Sequence, residues 1–408
     1  MFIPTRQLRA WGAALLAAVA ALLVLQLIAE PMVNRSVPVW MAVEPGPPLV
    51  YADGYEQGPP GPPLRAAAAI LIEANTGTVL YAHNEHERRP MASTTKIMTA
   101  LMALETTPLE QLVTVSPQAV RVTGSDAGLR PGQRLTMFEL LHALMLPSGN
   151  DAANVVAEHV AGSQAAFAQF MTERARELGA VRTRFANAHG LDDPSHYSTA
   201  HDLALLSMVA MRLPTFSQVV RTPHFQAQSI SASWRNTNRL LWSFEGIEGV
   251  KTGTTGGAGY CLVAAASRDG MRLISVVLGS PDRWNDSVRL LEYGFDQFHL
   301  ITLAAHGEVL AEARVPGGMG TLQAVVDGDF RVVVRDEEIN DLQVRVWLER
   351  LRAPVRAGET VGALDIMGAD GRLIRSVPLL AKETVPRWTV HGALWRWFQE
   401  LWSSRTGR

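Results

Sequence analysis

Apolar residues fall along the chain with two periods, and the change from one to the other predicts where strands and helices lie. The chain opens with Arg6 and Arg9 ahead of an apolar run, Gly12 to Ala29, of 18 residues broken only by Gln26. A basic stretch before such a run is read either as a cleaved export signal or as an uncleaved N-terminal anchor. Both place the remainder outside the cytoplasm. Residues 44–63 are dense in proline and glycine and predict a stiff, extended linker. Strand-like runs then cover Ala66 to Glu73 and Thr78 to Ala82 around an Asn75-Thr76-Gly77 turn. Helical spacing predicts Ser93 to Glu105, Thr136 to Leu146 (stopped by Pro147), Asp151 to Val160, Gln164 to Leu178 and Ala200 to Met211. Strands return at Gly246 to Thr254, Tyr260 to Ser267 and Met271 to Leu278, and a helix at Ser287 to Phe298 follows. Beyond His299, short alternating runs such as Phe330 to Arg335 and Leu342 to Val346 predict a small all-β domain ending near residue 382. At the C-terminus, Leu394, Trp395, Phe398, Leu401 and Trp402 share one face of a predicted helix. An aromatic face of this kind suits a membrane interface; a cap on the preceding domain is the alternative.

Strands and helices come in blocks, which argues an α+β fold and not a repeating βαβ one. A chain of 408 residues has room for two or more domains. The division predicted is an export signal or anchor over 1–43, a linker over 44–63, a mixed domain over 64–299, a β domain over 300–382 and an amphipathic helix over 383–408. Hydrophobic residues at 47% and charged residues at 19% describe a core-forming protein, and a net charge of -2 excludes a strong global attraction to nucleic acid. One cysteine, Cys261, allows no intrachain disulfide and no cysteine-based metal cluster. The histidines, among them His189, His196 and His201, show no ligand spacing and read as structural, so no metal or cofactor is implied. The basic residues are lopsided: only Lys96, Lys251 and Lys382 of 37 are lysines.

Three short segments carry candidate chemistry. Ser93-Thr94-Thr95-Lys96 puts a serine and a lysine on one helical face. Alone it is equally well an N-cap serine and a solvated lysine. Ser148-Gly149-Asn150 follows the Pro147 stop and presents two polar side chains from a loop. Alone it is a turn. Lys251-Thr252-Gly253 lies in a strand followed by a glycine-rich stretch, where a backbone can approach a ligand closely. In order, the three form Ser-x-x-Lys, Ser-x-Asn and Lys-Thr-Gly, a set found in penicillin-recognising serine enzymes. Two of the three lysines fall in it. Arginine would not serve there, because it stays protonated whereas a buried lysine can act as a base.

On these residues the chain resembles the serine D-alanyl-D-alanine carboxypeptidases, the low-molecular-mass penicillin-binding proteins with a C-terminal β domain. The stretches Ala69 to Gly77, Ala92 to Ala100, Leu146 to Ala153, Gly249 to Gly253 and Arg352 to Gly362 carry the likeness. Met91, where proline is common, and Thr254, where histidine is frequent, depart from it. The resemblance implies a transpeptidase- or β-lactamase-like catalytic domain followed by a small all-β domain. It implies that Ser93 attacks the carbonyl between two D-alanines of a peptidoglycan stem peptide, with Lys96 as base and Ser148 relaying a proton to the leaving group. It further implies that Asn150 holds the substrate amide, that Lys251 and Thr252 bind the terminal carboxylate, and that Gly253 and Thr254 continue the substrate-binding strand. The backbone N–H groups of Ser93 and Thr254 would form the oxyanion hole, and β-lactams would acylate Ser93. Arg283 is a further carboxylate candidate, although a solvated surface arginine is the simpler reading. The expected setting is the periplasmic face of the cytoplasmic membrane, peripheral or anchored.

Other readings stay open at this point. A class A β-lactamase would need a Glu-x-x-x-Asn spacing, and none of Glu158, Glu173, Glu177, Glu245 and Glu248 has it. A D,D-endopeptidase that cuts cross-links shares all three motifs, but enzymes of that kind generally lack a C-terminal β domain. A catalytically dead wall-binding protein would not need Ser93, Lys96, Ser148, Asn150 and Lys251 intact.

Overall fold

Three strands buried on both faces occupy the centre of the first part, and their sequences are therefore continuous apolar runs and not alternating ones. The computed structural model describes residues 43–51, 61–339, 341–368, 371 and 373–389. The apolar run of 12–29 and the aromatic face of 394–402 lie outside the described residues. In chain order the first part contains β1 (Val50–Tyr51), β2 (Ala68–Glu73), β3 (Thr78–His83), a 3-10 turn (Ala92–Thr95), α1 (Lys96–Thr106), β4 (Leu112–Thr114), β5 (Arg134–Thr136), α2 (Met137–Met145), α3 (Asn150–Ala161) and α4 (Gln164–Glu177). There follow α5 (Ala200–Met211), α6 (Pro214–Arg221), β6 (His224–Gln226), β7 (Ser233–Arg235), β8 (Ile247–Thr255), β9 (Gly259–Arg268), β10 (Met271–Leu278) and α7 (Arg283–Gln297).

The main sheet has the order β1-β3-β2-β10-β9-β8. Alternate residues of its central strands feed two separate cores. Ala68, Ile70, Ile72, Val263, Ala265, Ile274 and Val276 join the core filled by α1 to α6. Ala69, Leu71, Leu262, Ala264, Leu273 and Val277 join the core covered by α7. This places β8 at the sheet edge, with its outer side against the 3-10 turn that carries Ser93. Helix starts follow capping rules: Thr136 caps α2 in a box with Glu139, and Thr199 accepts from the Asp202 N–H at the head of α5. The α6 helix was not predicted. Its Pro214 start is a recognised N1 signal, but eight residues give too short a period to read.

The Pro/Gly-rich stretch is partly docked and not free. Val50 and Tyr51 pair in parallel with Thr78 and Val79. Val43 is held at both backbone atoms, by the Glu105 carboxylate at 3.1 Å and by Arg174 at 2.5 Å. The backbone just ahead of the stretch is thus satisfied by side chains of the helical layer.

The second part is all β. Strands β11 (Phe298–Ala304) and β14 (Phe330–Arg335) pair with each other, and β12 (Val309–Arg314), β13 (Thr321–Val325), β15 (Gln343–Leu348), β16 (Thr360–Met367) and β17 (Leu373–Ala381) form a sheet of order β12-β13-β17-β16-β15. Phe330, Val332, Val334, Leu322, Leu364, Ile366 and Leu379 build its core. The chain after β17 stays attached, with Val385 bridged to Val355 and Arg387 to Gly318.

Candidate active site

The Ser93 turn is built by small hydroxyl side chains folding back on their own backbone. The Thr94 and Thr95 hydroxyls donate to the Met91 and Ala92 carbonyls at 2.7 and 2.8 Å. The His196 Nε2 lies 2.7 Å from the Thr95 hydroxyl, while its Nδ1 accepts from the Ala186 N–H at 3.0 Å. That fixes the Nε2–H tautomer, and burial lowers the ring's pKa to about 4, so His196 is a neutral brace. Ser93 precedes Lys96 by one turn, and the Lys96 Nζ sits 2.9 Å from the Ser93 Oγ. Lys96 is fully buried. Its amine also donates to Asn150 Oδ1 and to the His189 carbonyl, each at 2.7 Å. Burial, and then the nearby Lys251 charge, hold its pKa well below that of a free lysine, against a smaller opposing pull from Asp151.

The second motif lies between α2 and α3. Ser148 adopts a left-handed backbone with φ of 68°, and its buried Oγ has no hydrogen-bond partner among the described residues. Gly149 has no space for a side chain, since a Cβ would stand 2.7 Å from both the Ala143 carbonyl and an Asp151 carboxylate oxygen. An aspartate at this place, as in the Ser-Asp-Asn form of the motif, does not fit this backbone. Asn150 is committed at both ends of its amide, donating to the Thr123 carbonyl at 2.7 Å while accepting from Lys96. The second lone pair of its Oδ1 is what remains for a substrate N–H.

The third motif runs along β8. A Cβ on Gly253 would lie 3.0 Å from the Ala92 Cβ and the Met91 carbonyl, and 3.1 Å from the Ser93 nitrogen. Glycine therefore lets the strand edge touch the nucleophile's turn. Lys251 is 1% exposed, and its pKa falls to about 7 through burial and the neighbouring Arg283 charge. Its Nζ donates to the Thr252 carbonyl at 3.1 Å. The Thr252 hydroxyl pairs with that of Thr237 at 2.7 Å. Arg283 is not the solvated surface residue expected. It is half-buried and donates to the Gly253 carbonyl at 2.7 Å and the Thr254 hydroxyl at 2.8 Å, which stiffens the end of β8.

The structure thus brings Ser93, Lys96 and Asn150 into direct contact and packs Gly253 against the Ser93 turn. One contributor went unread in the sequence, the loop 187–192. Asn187 Oδ1 accepts from the N–H groups of His189 and Gly190 at 3.2 and 2.7 Å, a turn that aims the His189 carbonyl at Lys96. Gly190 has φ of 94°, and a Cβ there would overlap the Ala92 carbonyl. Asp192 ties the loop to β8 by accepting from Thr255 at 2.6 Å and the Gly257 N–H at 2.9 Å. An Asn-x-x-Gly turn is visible in sequence, but a catalytic role for a backbone carbonyl leaves no residue-type signature. His189 acts through that carbonyl; burial and the Lys96 charge lower its ring pKa to about 3.

The chain is similar along most of its length to proteins of one known family. A family described as D-alanyl-D-alanine carboxypeptidase matches residues 56–282, and one described as the C-terminal domain of penicillin-binding protein 5 matches 298–387. The chain is 33% identical to the D-alanyl-D-alanine carboxypeptidase DacF of Bacillus subtilis over 336 residues, covering 79% of this chain and 86% of that one. It is 35% identical to the D-alanyl-D-alanine carboxypeptidase DacC of Escherichia coli over 360 residues, covering 83% and 89%. The crystal structure of penicillin-binding protein 5 from Haemophilus influenzae superposes with a TM-score of 0.74 at 30% identity, covering 81% of this chain and 100% of that one.

Proposed function

The chain belongs to the serine D-alanyl-D-alanine carboxypeptidase family, with a transpeptidase-like catalytic domain and an all-β C-terminal domain, and from that premise we propose how its own residues remove the terminal D-alanine of a peptidoglycan stem peptide. The observation that carries the reading is the buried Lys96 amine 2.9 Å from the Ser93 hydroxyl. A neutral amine has two N–H bonds and one lone pair. Asn150 Oδ1 and the His189 carbonyl take the two N–H bonds, which turns the lone pair to Ser93. Lys96 then accepts the Ser93 proton as Oγ attacks the carbonyl carbon between the two D-alanines.

The developing oxyanion is received by the backbone N–H groups of Ser93 and Thr254. The Ser93 N–H stands in the first turn of its 3-10 segment, where intrahelical acceptors are missing. Loss of one such donor typically costs about 2.7–4 kcal/mol. Ser148, whose hydroxyl is otherwise unpartnered, passes the proton to the leaving nitrogen as the C–N bond breaks. Protonated Lys251 and the Thr252 hydroxyl hold the terminal carboxylate, and Asn150 takes the substrate amide on its free lone pair. Water then cleaves the Ser93 ester. A β-lactam acylates the same oxygen and leaves slowly.

The protein acts, on this reading, outside the cytoplasm at the membrane surface. The basic residues and apolar run at the N-terminus and the aromatic face at the C-terminus support that placement. The catalytic domain spans 64–299 and the β domain 300–382. The test is release of free D-alanine from a purified pentapeptide precursor, alongside labelling by fluorescent penicillin. D-alanine release with label on Ser93 is expected. Absence of both, or both unchanged in Ser93→Ala, would overturn the reading.

A further inference from the structure

Beside the third motif lies a cavity of about 830 Å³ whose wall includes Arg235, Arg239, Arg283, Trp242, Trp284 and Tyr260. It begins where the proposed carboxylate anchor ends. Thr237 stands in its wall and shares a 2.7 Å hydrogen bond with Thr252, and Arg283 donates from the same wall to the Gly253 carbonyl.

The wall carries more positive than negative charge. None of the ion pairs among the described residues uses Arg235, Arg239 or Arg283. Asp282 also lines the cavity and accepts from Asn285 at 3.0 and 3.1 Å, which leaves three arginines against one carboxylate in the wall. The guanidinium groups lie instead over aromatic rings: Arg235 over Trp242 at 4.7 Å, Arg239 over Trp284 at 6.0 Å and Arg283 over Tyr260 at 5.3 Å. A cation held over a ring keeps N–H groups available for carboxylate oxygens, which applies most directly to Arg235 and Arg239. Trp242 and Tyr260 are 47% and 51% exposed, a large aromatic surface left open at a concave, cationic site. The methyl group of alanine would fill little of it.

We propose that this cavity is a subsite on the leaving side of the scissile bond, which takes a leaving residue carrying an anionic group beyond its α-carboxylate. The proposal rests on the reading in which Ser93 is acylated and Lys251 with Thr252 holds that α-carboxylate. The side chain of the leaving residue then extends past Thr237 to Arg235 and Arg239. The chemistry is unchanged: the Ser93 ester forms, the C–N bond breaks and the released amine takes the proton. A cross-link between stem peptides presents such a leaving group, because the released amine belongs to a residue that continues into a second, carboxylate-bearing peptide. The subsite thereby brings cross-link cleavage within reach of the same serine.

The experiment compares acyl-peptides ending in D-Ala-D-Glu and D-Ala-D-Gln, alike in size and different in charge, with D-Ala-D-Ala as reference, on the full chain. We expect kcat/KM for the D-Glu peptide to exceed that for the D-Gln peptide about tenfold, the size of one charge-assisted contact. Combined Arg235→Gln and Arg239→Gln substitution brings the ratio close to one. A ratio near one in the unsubstituted protein, or one that the double substitution leaves in place, overturns the subsite. Binding of the same peptides to Ser93→Ala, followed by tryptophan fluorescence, reads the preference without turnover. The same preference in Kd supports the subsite and equal affinities overturn it. Should none of the three peptides be cleaved while the binding preference persists, the hydrolytic reading falls and the subsite stands.

Discussion

At the residue scale, two amines define what this site can do. Lys96 and Lys251 are both buried, and each is pushed toward its neutral form by burial first and a neighbouring cation second. On the proposed mechanism they are needed in opposite states. Lys96 works as a base only when neutral, whereas Lys251 attracts a carboxylate only when protonated. As pH rises, deprotonation of Lys96 gains activity and deprotonation of Lys251 loses it. The alkaline limb of kcat/KM, which reports the free enzyme, is therefore expected near pH 7, where Lys251 titrates. A bound carboxylate favours protonated Lys251, so the limb in kcat should move to higher pH. Coincident alkaline limbs in the two profiles would remove Lys251 from carboxylate binding. Replacement Lys96→Arg keeps a cation but forfeits the base, and penicillin acylation should fall by about 100- to 10,000-fold with the fold retained by circular dichroism. A retained acylation rate would assign the base elsewhere. Both lysines were legible in the sequence because arginine otherwise fills nearly every basic position. The partner of Lys96 at His189 was not, since any residue type supplies a carbonyl.

At the scale of elements, the site is a contact between a sheet edge and a helix start. Period reading located β9, β10 and α5 to within a residue, because long runs with both faces buried leave a strong signal. It placed the start of α7 four residues late, at Ser287 and not at Arg283, since Arg283 and Trp284 give no helical period to read. The same late start favoured a solvated surface place for Arg283, which the first turn of α7 instead directs back onto β8. The glycines mark the contact more sharply than the helices do. In Gly253→Ala the new methyl meets the Ala92 Cβ and the Met91 carbonyl at 3.0 Å, so β8 and the Ser93 turn must part by a few tenths of an ångström. Overpacking of this kind costs about 1–3 kcal/mol. A misplacement of about 1 Å at the reacting groups can cost about a hundredfold, so a shift of a few tenths of an ångström is expected to slow chemistry by about tenfold. A fall in penicillin acylation of that size, larger than the loss of thermal stability alone explains, is expected. Full acylation in the alanine variant would mean the strand edge is not needed for positioning.

For the whole molecule, catalytic and β parts meet through Phe298, which ends α7, enters β11 and is 1% exposed. Its ring packs in the core beneath α7 and lies under the Arg335 guanidinium of β14 at 4.8 Å. The β part then carries the chain through the bridges at Val385 and Arg387 toward the aromatic C-terminus. The Trp388 N–H still donates to the Gly317 carbonyl at 2.7 Å, so a truncation meant to remove only the aromatic face has to spare these residues. Cutting after residue 389 does so. In a protein that also lacks 1–29, that truncation should lower sedimentation with phospholipid vesicles about tenfold, because the buried aromatic area that holds an interfacial helix is gone. Its melting temperature and its D-alanine release from a soluble peptide should stay as before, since no described contact of either core is lost. Unchanged vesicle binding would leave the aromatic face as a cap on the β part. A drop in melting temperature with unchanged vesicle binding would establish that role directly, and the membrane placement would then rest on the N-terminal apolar run.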